Sequence, residues 1–262
     1  MFCSWRRPVS GLAFLTIISI GGCSFWHRRT GPPVETGLVI REFQSQLTHR
    51  PRQYALYVPP DYNDSPRRWP LILFLHGAGE RGDDVQLLLK HGPLKEALLR
   101  KDFPFLVVAP HCPAPQAGAP SLSITWTDAA GDALAALADV EAHYRVDPTR
   151  IYLTGLSLGG FGSFYLAAEH PGRFAAVAPI CGGGEAARVK AYEGTPFWIF
   201  HGMQDRVVPP NRSVEMADTM RAFGQDVKLT TYPDLGHDAW TVTYENDELY
   251  AWFLSHRRPK KD

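Results

Sequence analysis

Apolar residues in this chain fall into short unbroken runs, and these alternate with stretches of helical spacing. Residues 37–47 and 52–58 are two β-rich runs with polar punctuation between them, the pattern of an antiparallel pair at a sheet edge. Pro70-Leu71-Ile72-Leu73-Phe74-Leu75 contains no polar position, which fits a strand buried on both faces. Further strands are expected at 105–109, 151–154, 174–180, 197–200 and 227–232, with helices at 84–100, 129–144, 160–168, 211–223 and 244–254. Gly92-Pro93 should break or kink the first helix, because proline lacks an amide hydrogen and its ring clashes with the preceding turn. Asp147-Pro148 is expected to end the second helix, and Gly224 to stop the fourth. Eight strands alternating with helices predict an α/β fold: a mostly parallel, doubly wound sheet with helices on both faces. Chemistry in such sheets gathers at the carboxyl ends of the strands.

Three such ends carry residues of complementary chemistry. Gly155-Leu156-Ser157-Leu158-Gly159 sits between a strand and a helix and reads as a nucleophile elbow, a strained turn that pushes the Ser157 hydroxyl into the open. Asp205 follows the strand at 197–200, within His201-Gly202-Met203-Gln204-Asp205, and His237 follows the last strand. The chain order of serine, acid and histidine is that of α/β-hydrolases. A serine hydroxyl needs a base at neutral pH, which His237 can supply, and Asp205 can orient and stabilise that imidazole. Asp226, Asp234 and Asp238 are rival acids, although Asp238 adjoins the base and should point away from it. The backbone amides of Leu158 and Ala78 are the natural oxyanion donors, with Gly79 as an alternative to Ala78.

Around these residues, His76 is expected to be a hydrogen bonder beneath the glycine-rich turn 76–82, with Glu80, Arg81 and Asp83 pairing among themselves to hold it. Trp126, Trp240 and His111 lie on strand-end loops and are candidates for substrate contact.

The 262-residue length suits one catalytic domain, 37–262, rather than two small ones. Lys plus Arg and Asp plus Glu both number 27, so no overall charge draws the chain to nucleic acid or to an anionic membrane. Arg6 and Arg7 precede an apolar run over residues 9–20, the length of a secretory signal core and too short to span a bilayer comfortably. Residues 1–22 are accordingly expected to be a signal peptide. Gly21-Gly22-Cys23 resembles a bacterial lipobox, which implies lipidation of Cys23, residues 23–36 as a tether, and export as a lipoprotein anchored at the outer membrane. Cys112 and Cys181 then remain in a compartment that permits disulfides. They end strands with two others between them, roughly 14 Å apart at the usual strand spacing. A disulfide needs Cα atoms within about 7 Å, so two free, partly buried thiols are expected.

Taken together, Leu75-His76-Gly77-Ala78-Gly79-Glu80-Arg81-Gly82, Ala109-Pro110-His111-Cys112-Pro113, Gly155-Leu156-Ser157-Leu158-Gly159-Gly160 and Gly236-His237-Asp238-Ala239-Trp240 resemble α/β-hydrolase esterases. The likeness is to the dienelactone-hydrolase and prolyl-oligopeptidase-like type, relatives of feruloyl and polyhydroxybutyrate-depolymerase esterases. It implies hydrolysis of small-molecule or polymer-linked carboxylic esters through an acyl-enzyme, without cofactor or metal. A serine peptidase of the prolyl-oligopeptidase-like type is the alternative. No propeller precedes residue 37, which disfavours a gated oligopeptidase. Residues 181–195 leave room for one short helix and no cap domain, so an open, shallow site with little interfacial activation is expected.

Overall fold

A computed structural model describes residues 33–259. The expected signal peptide, Cys23 and residues 23–32 of the expected tether lie outside the described residues. Eight strands form one sheet: β1 (Gly37–Gln44), β2 (Pro51–Val58), β3 (Trp69–Leu75), β4 (Leu106–Pro110), β5 (Val146–Leu156), β6 (Ala176–Ile180), β7 (Phe197–Gly202) and β8 (Val227–Tyr232). Their spatial order is β1-β2-β4-β3-β5-β6-β7-β8. β1 and β2 pair antiparallel at one edge and β2 runs antiparallel to β4; every other pairing is parallel, as the patterning predicts.

Successive β3 side chains point to opposite faces, which is why the run needs no polar position. Leu71, Leu73 and Leu75 enter one core with Leu137 of α2 (Ala130–His143), Phe164 of α3 (Leu158–Glu169) and Met216 of α4 (Asn211–Ala222). Ile72 and Phe74 enter the other with Leu94 of α1 (Gly92–Leu99), Tyr244 of α5 (Trp240–Glu245) and Phe253 of α6 (Asp247–Ser255). The sheet is therefore covered on both sides. Among the described residues no helix is long and apolar enough to cross a membrane.

Three expectations change. Residues 84–100 are a 3-10 turn, Val85–Leu89, followed by α1, which starts at Gly92 instead of breaking there, with Pro93 in its first turn, where a missing amide hydrogen costs nothing. Asp147-Pro148 does not end α2, which stops at His143; it lies inside β5, where the Asp147 carboxylate accepts from the Thr149 amide at 3.0 Å. The last helix is two, because Asn246 interrupts it and caps α6 by accepting from the Glu248 amide at 2.9 Å. Between β6 and β7 stands only the short 3-10 helix Ala186–Tyr192, so no cap domain covers the carboxyl ends of these strands.

Candidate active site

The turn between β5 and α3 is held open by absent side chains. A Cβ on Gly159 would lie 1.9 Å from the Leu75 carbonyl oxygen, and one on Gly155 would lie 2.3 Å from the Gly159 oxygen. Only glycine lets β3, β5 and α3 meet this closely. Ser157 is left at φ +52°, ψ −113°, a conformation that L-residues rarely adopt, and its amide donates to the Ile180 carbonyl at 2.9 Å. The hydroxyl stands at the start of α3, half-exposed.

Two loops bring the partners. A Cβ on Gly202, at the end of β7, would meet the Gly236 oxygen at 2.1 Å, so the loops after β7 and β8 cross in contact. His237 Nε2 lies 2.9 Å from Ser157 Oγ, and His237 Nδ1 lies 2.6 Å from Asp205 Oδ2. The other oxygen, Oδ1, accepts the amides of Val207 and Val208 at 2.8 and 2.9 Å. Burial alone would disfavour the carboxylate, but these hydrogen bonds outweigh it and hold the Asp205 pKa below its usual value. Hydroxyl, imidazole and carboxylate thus form a continuous hydrogen-bonded line in which Ser157 can lose a proton to His237 while Asp205 stays ionised. Asp238 points away as expected, accepting from the Thr241 amide and hydroxyl at 3.2 and 2.8 Å.

The glycine-rich turn after β3 becomes a short 3-10 helix, Ala78–Glu80. Ala78 and Leu158 each open a helical turn, where a backbone N–H finds no acceptor within its own helix and remains free for an anion. His76 lies beneath: Nδ1–H donates to the Gly77 carbonyl at 2.7 Å and Nε2 accepts the Cys112 amide at 3.0 Å. Its burial pushes the pKa down to about 3 and keeps the ring neutral. Glu80, Arg81 and Asp83 do hold this turn, but not by pairing with one another. Glu80 accepts the Gly77 amide at 3.0 Å, Arg81 donates to the carbonyls of Ala78, Ser121 and Ile124, and Asp83 pairs with Arg52 at 2.8 Å.

The substrate-contact expectations need correction. Trp126 is fully buried, its Nε1–H donating to the His76 carbonyl at 2.9 Å with the ring edge-on to His76, so it packs the floor of the turn. His111 is likewise buried, its ring 5.7 Å from that of His76; burial and the nearby Arg52 guanidinium push its pKa down to about 4. Neither side chain reaches the surface. Trp240 is half-buried and stands edge-on to the His237 ring at 5.0 Å, so of the three it alone flanks the relay.

The structure adds features that the sequence reading missed. A cleft of about 230 Å³ is lined by Thr127, Phe161, Tyr165, Gly183, Arg188 and Arg212, among others. Ser157, Phe161 and Tyr165 are four residues apart and form the only half-exposed stripe of this otherwise buried stretch, so the cleft continues the helix face on which the hydroxyl sits. That spacing could have been read in advance. Behind Asp205, His201 Nε2 lies 3.2 Å from Oδ2. The Cys181 thiol lies 3.3 Å from the His237 carbonyl, and burial pushes its pKa up to about 12. Cys181, His201 and Asp205 are the group of metal-compatible side chains among the described residues, but each already has a hydrogen-bond partner: the His237 carbonyl, the Val208 carbonyl and the His237 ring. Cys112 and Cys181 are both free and buried, as expected.

Known proteins place this arrangement. The Esterase family model, described as "Putative esterase", matches residues 45–198, and the prolyl oligopeptidase family model matches 184–258. The chain is 28% identical to "Probable feruloyl esterase C" of Aspergillus terreus over 171 residues, 64% of this chain and 60% of that protein. It is 26% identical to the poly(3-hydroxyoctanoate) depolymerase of Pseudomonas fluorescens over 72% of this chain and 74% of that one. The crystal structure of a thermostable esterase superposes with a TM-score of 0.74 at 32% identity, covering 84% of this chain and 63% of that one. The chain thus spans less than two thirds of the length of the feruloyl esterase and of the thermostable esterase. With the family model matched over more than half its length, on an eight-stranded sheet that carries a serine elbow, the chain belongs to the Esterase family of α/β-hydrolases.

Proposed function

We propose that the chain is a serine hydrolase that cleaves carboxylic esters through an acyl-enzyme. Ser157 is the nucleophile, His237 the general base and then acid, and Asp205 the residue that orients and stabilises the imidazolium. Leu158 and Ala78 supply the oxyanion amides. The observation that carries this reading is the line of hydrogen bonds from Ser157 Oγ through His237 to Asp205, at 2.9 and 2.6 Å. In the reaction, Oγ adds to the ester carbonyl as its proton passes to Nε2. The tetrahedral oxyanion collapses with expulsion of the alcohol, which takes that proton, and water then repeats the sequence on the acyl-enzyme.

The substrate is a short-acyl or polymer-linked ester. The uncapped strand ends support this, as does the cleft walled by Phe161 and Tyr165, which follow Ser157 at helical spacing and could take the arm of a larger substrate. The feruloyl and polyester relatives support the same class. Trp240, beside His237, is the proposed aromatic wall. A panel of acetyl, butyryl, feruloyl and polyester substrates tests the reading. Ser157→Ala should lower ester turnover by about 10⁴-fold or more; unchanged turnover would refute the mechanism.

Peptide hydrolysis is the second reading, favoured by the oligopeptidase match that spans Asp205 and His237. A peptide anilide turned over faster than p-nitrophenyl butyrate would select it. We further propose export through residues 1–22 and lipid anchoring at Cys23, supported by Arg6, Arg7, the apolar run and the small residues before the cysteine.

A further inference from the structure

We propose that His201 is a positioning residue of the relay: its Nε2–H is a second imidazole donor to Asp205, fixing the carboxylate and tempering the charge that His237 meets. The inference rests on the hydrolase reading above for its kinetic consequence, but not for its geometry.

His201 stands near the end of β7, fully buried. Its Nε2 faces two groups that can only accept: the Val208 carbonyl at 3.0 Å and Asp205 Oδ2 at 3.2 Å. A proton must therefore sit on Nε2, or three electron-rich atoms would meet unshielded. Nδ1 faces the Ser213 hydroxyl at 2.7 Å, and that hydroxyl also lies 2.9 Å from the Gly182 carbonyl. Ser213 has one proton for Nδ1 and the Gly182 carbonyl, so a proton on Nδ1 would also be served here, but the carboxylate and carbonyl facing Nε2 make the stronger demand. Burial lowers the His201 pKa from its ordinary value although Val208 and Asp205 oppose it, which favours a neutral ring carrying one proton, on Nε2.

The carboxylate then holds three hydrogen bonds, from the His237 imidazole on Oδ2 and from the amides of Val207 and Val208 on Oδ1, and the His201 Nε2–H that bonds the Val208 carbonyl also lies 3.2 Å from Oδ2. With these three bonds and the shared His201 N–H beside Oδ2, Asp205 cannot rotate without breaking several contacts at once. The titratable groups around the ring are Asp205 from the loop after β7, His237 from the loop after β8, and Cys181 at the end of β6. Burial keeps the Cys181 thiol protonated, so Asp205 is the charge that both imidazoles share. Without the His201 donor, the full carboxylate charge would fall on His237, and its imidazolium would be more stable.

The experiment compares His201→Phe, which removes both ring nitrogens at similar volume, with His201→Gln, whose side-chain amide can still donate. In the Phe variant kcat should fall about tenfold with KM little changed. The acid limb of kcat/KM should move to higher pH by roughly half a unit, since the lost donor had stabilised the carboxylate. The Gln variant should recover both towards wild type. An unmoved acid limb in a folded Phe variant, or a Gln variant as impaired as Phe, would overturn the proposal. Should the Phe variant not fold, ¹⁵N-histidine NMR of the wild-type protein decides: a neutral Nε2–H tautomer for His201 at pH 7.5 is expected, and an Nδ1–H tautomer or a cation overturns it. If turnover proves independent of Ser157, the hydrolase reading fails, while the tautomer still tests the placement of His201.

Discussion

His76 has no access to solvent, yet its ring is fully used, donating to Gly77 and accepting from Cys112 across two strand ends. Accepting from Cys112 requires the neutral form. In the unfolded chain the same ring titrates near 6.5, against about 3 when folded, so between these values the unfolded state binds more protons. Stability from this residue is present above pH 6.5 and is lost as pH falls towards 3, with His111, at about 4, acting in the same sense. The urea midpoint should therefore already decline between pH 6.5 and about 5, above the range where most carboxylates titrate. A midpoint flat across that range would show that these rings do not stay buried and neutral. Ser157, Asp205 and His237 were legible in the sequence because each sits in a local pattern of glycine and strand end. His201 was not, because a histidine directly before a glycine carries no local sign of the carboxylate it will meet.

At the scale of elements, the interval between β6 and β7 matters most for what the site can accept. It holds seven residues of 3-10 helix, Ala186–Tyr192, and nothing that could fold over Ser157. Activity towards a short-chain triglyceride should therefore rise smoothly with concentration, without a jump where the lipid begins to aggregate; a sharp jump would mean that some other segment acts as a lid. The strands were readable because burial on both faces leaves unbroken apolar runs such as β3. Helix boundaries were less so. The break at Asn246 is made by one side chain capping the next helix, and the extension of β5 through Pro148 depends on Asp147 and Thr149 satisfying each other. Trp126 and His111 misled for a related reason: a loop position says that a residue can reach the surface, not that its side chain turns outward.

Across the whole molecule, 45% hydrophobic residues and balanced charge suit a single two-sided sheet with one reactive edge. The proposed lipid anchor at Cys23 would tether the catalytic domain to a membrane. If the reading of the first 23 residues is right, expression in a bacterial host should give a membrane-bound protein whose mature N-terminal residue is diacylated Cys23, and Cys23→Ser should release it from the membrane fraction. A soluble product retaining residues 1–22 would contradict this. Gly202 and Gly236 have a broader effect. Because the backbones carrying acid and base touch where these glycines cross, lengthening either loop would pull both reactive side chains out of line together. Variation in what the proposed site accepts must then enter elsewhere, through 110–127 and 181–195, and a protein engineer seeking new substrates has freedom there that the crossing point denies.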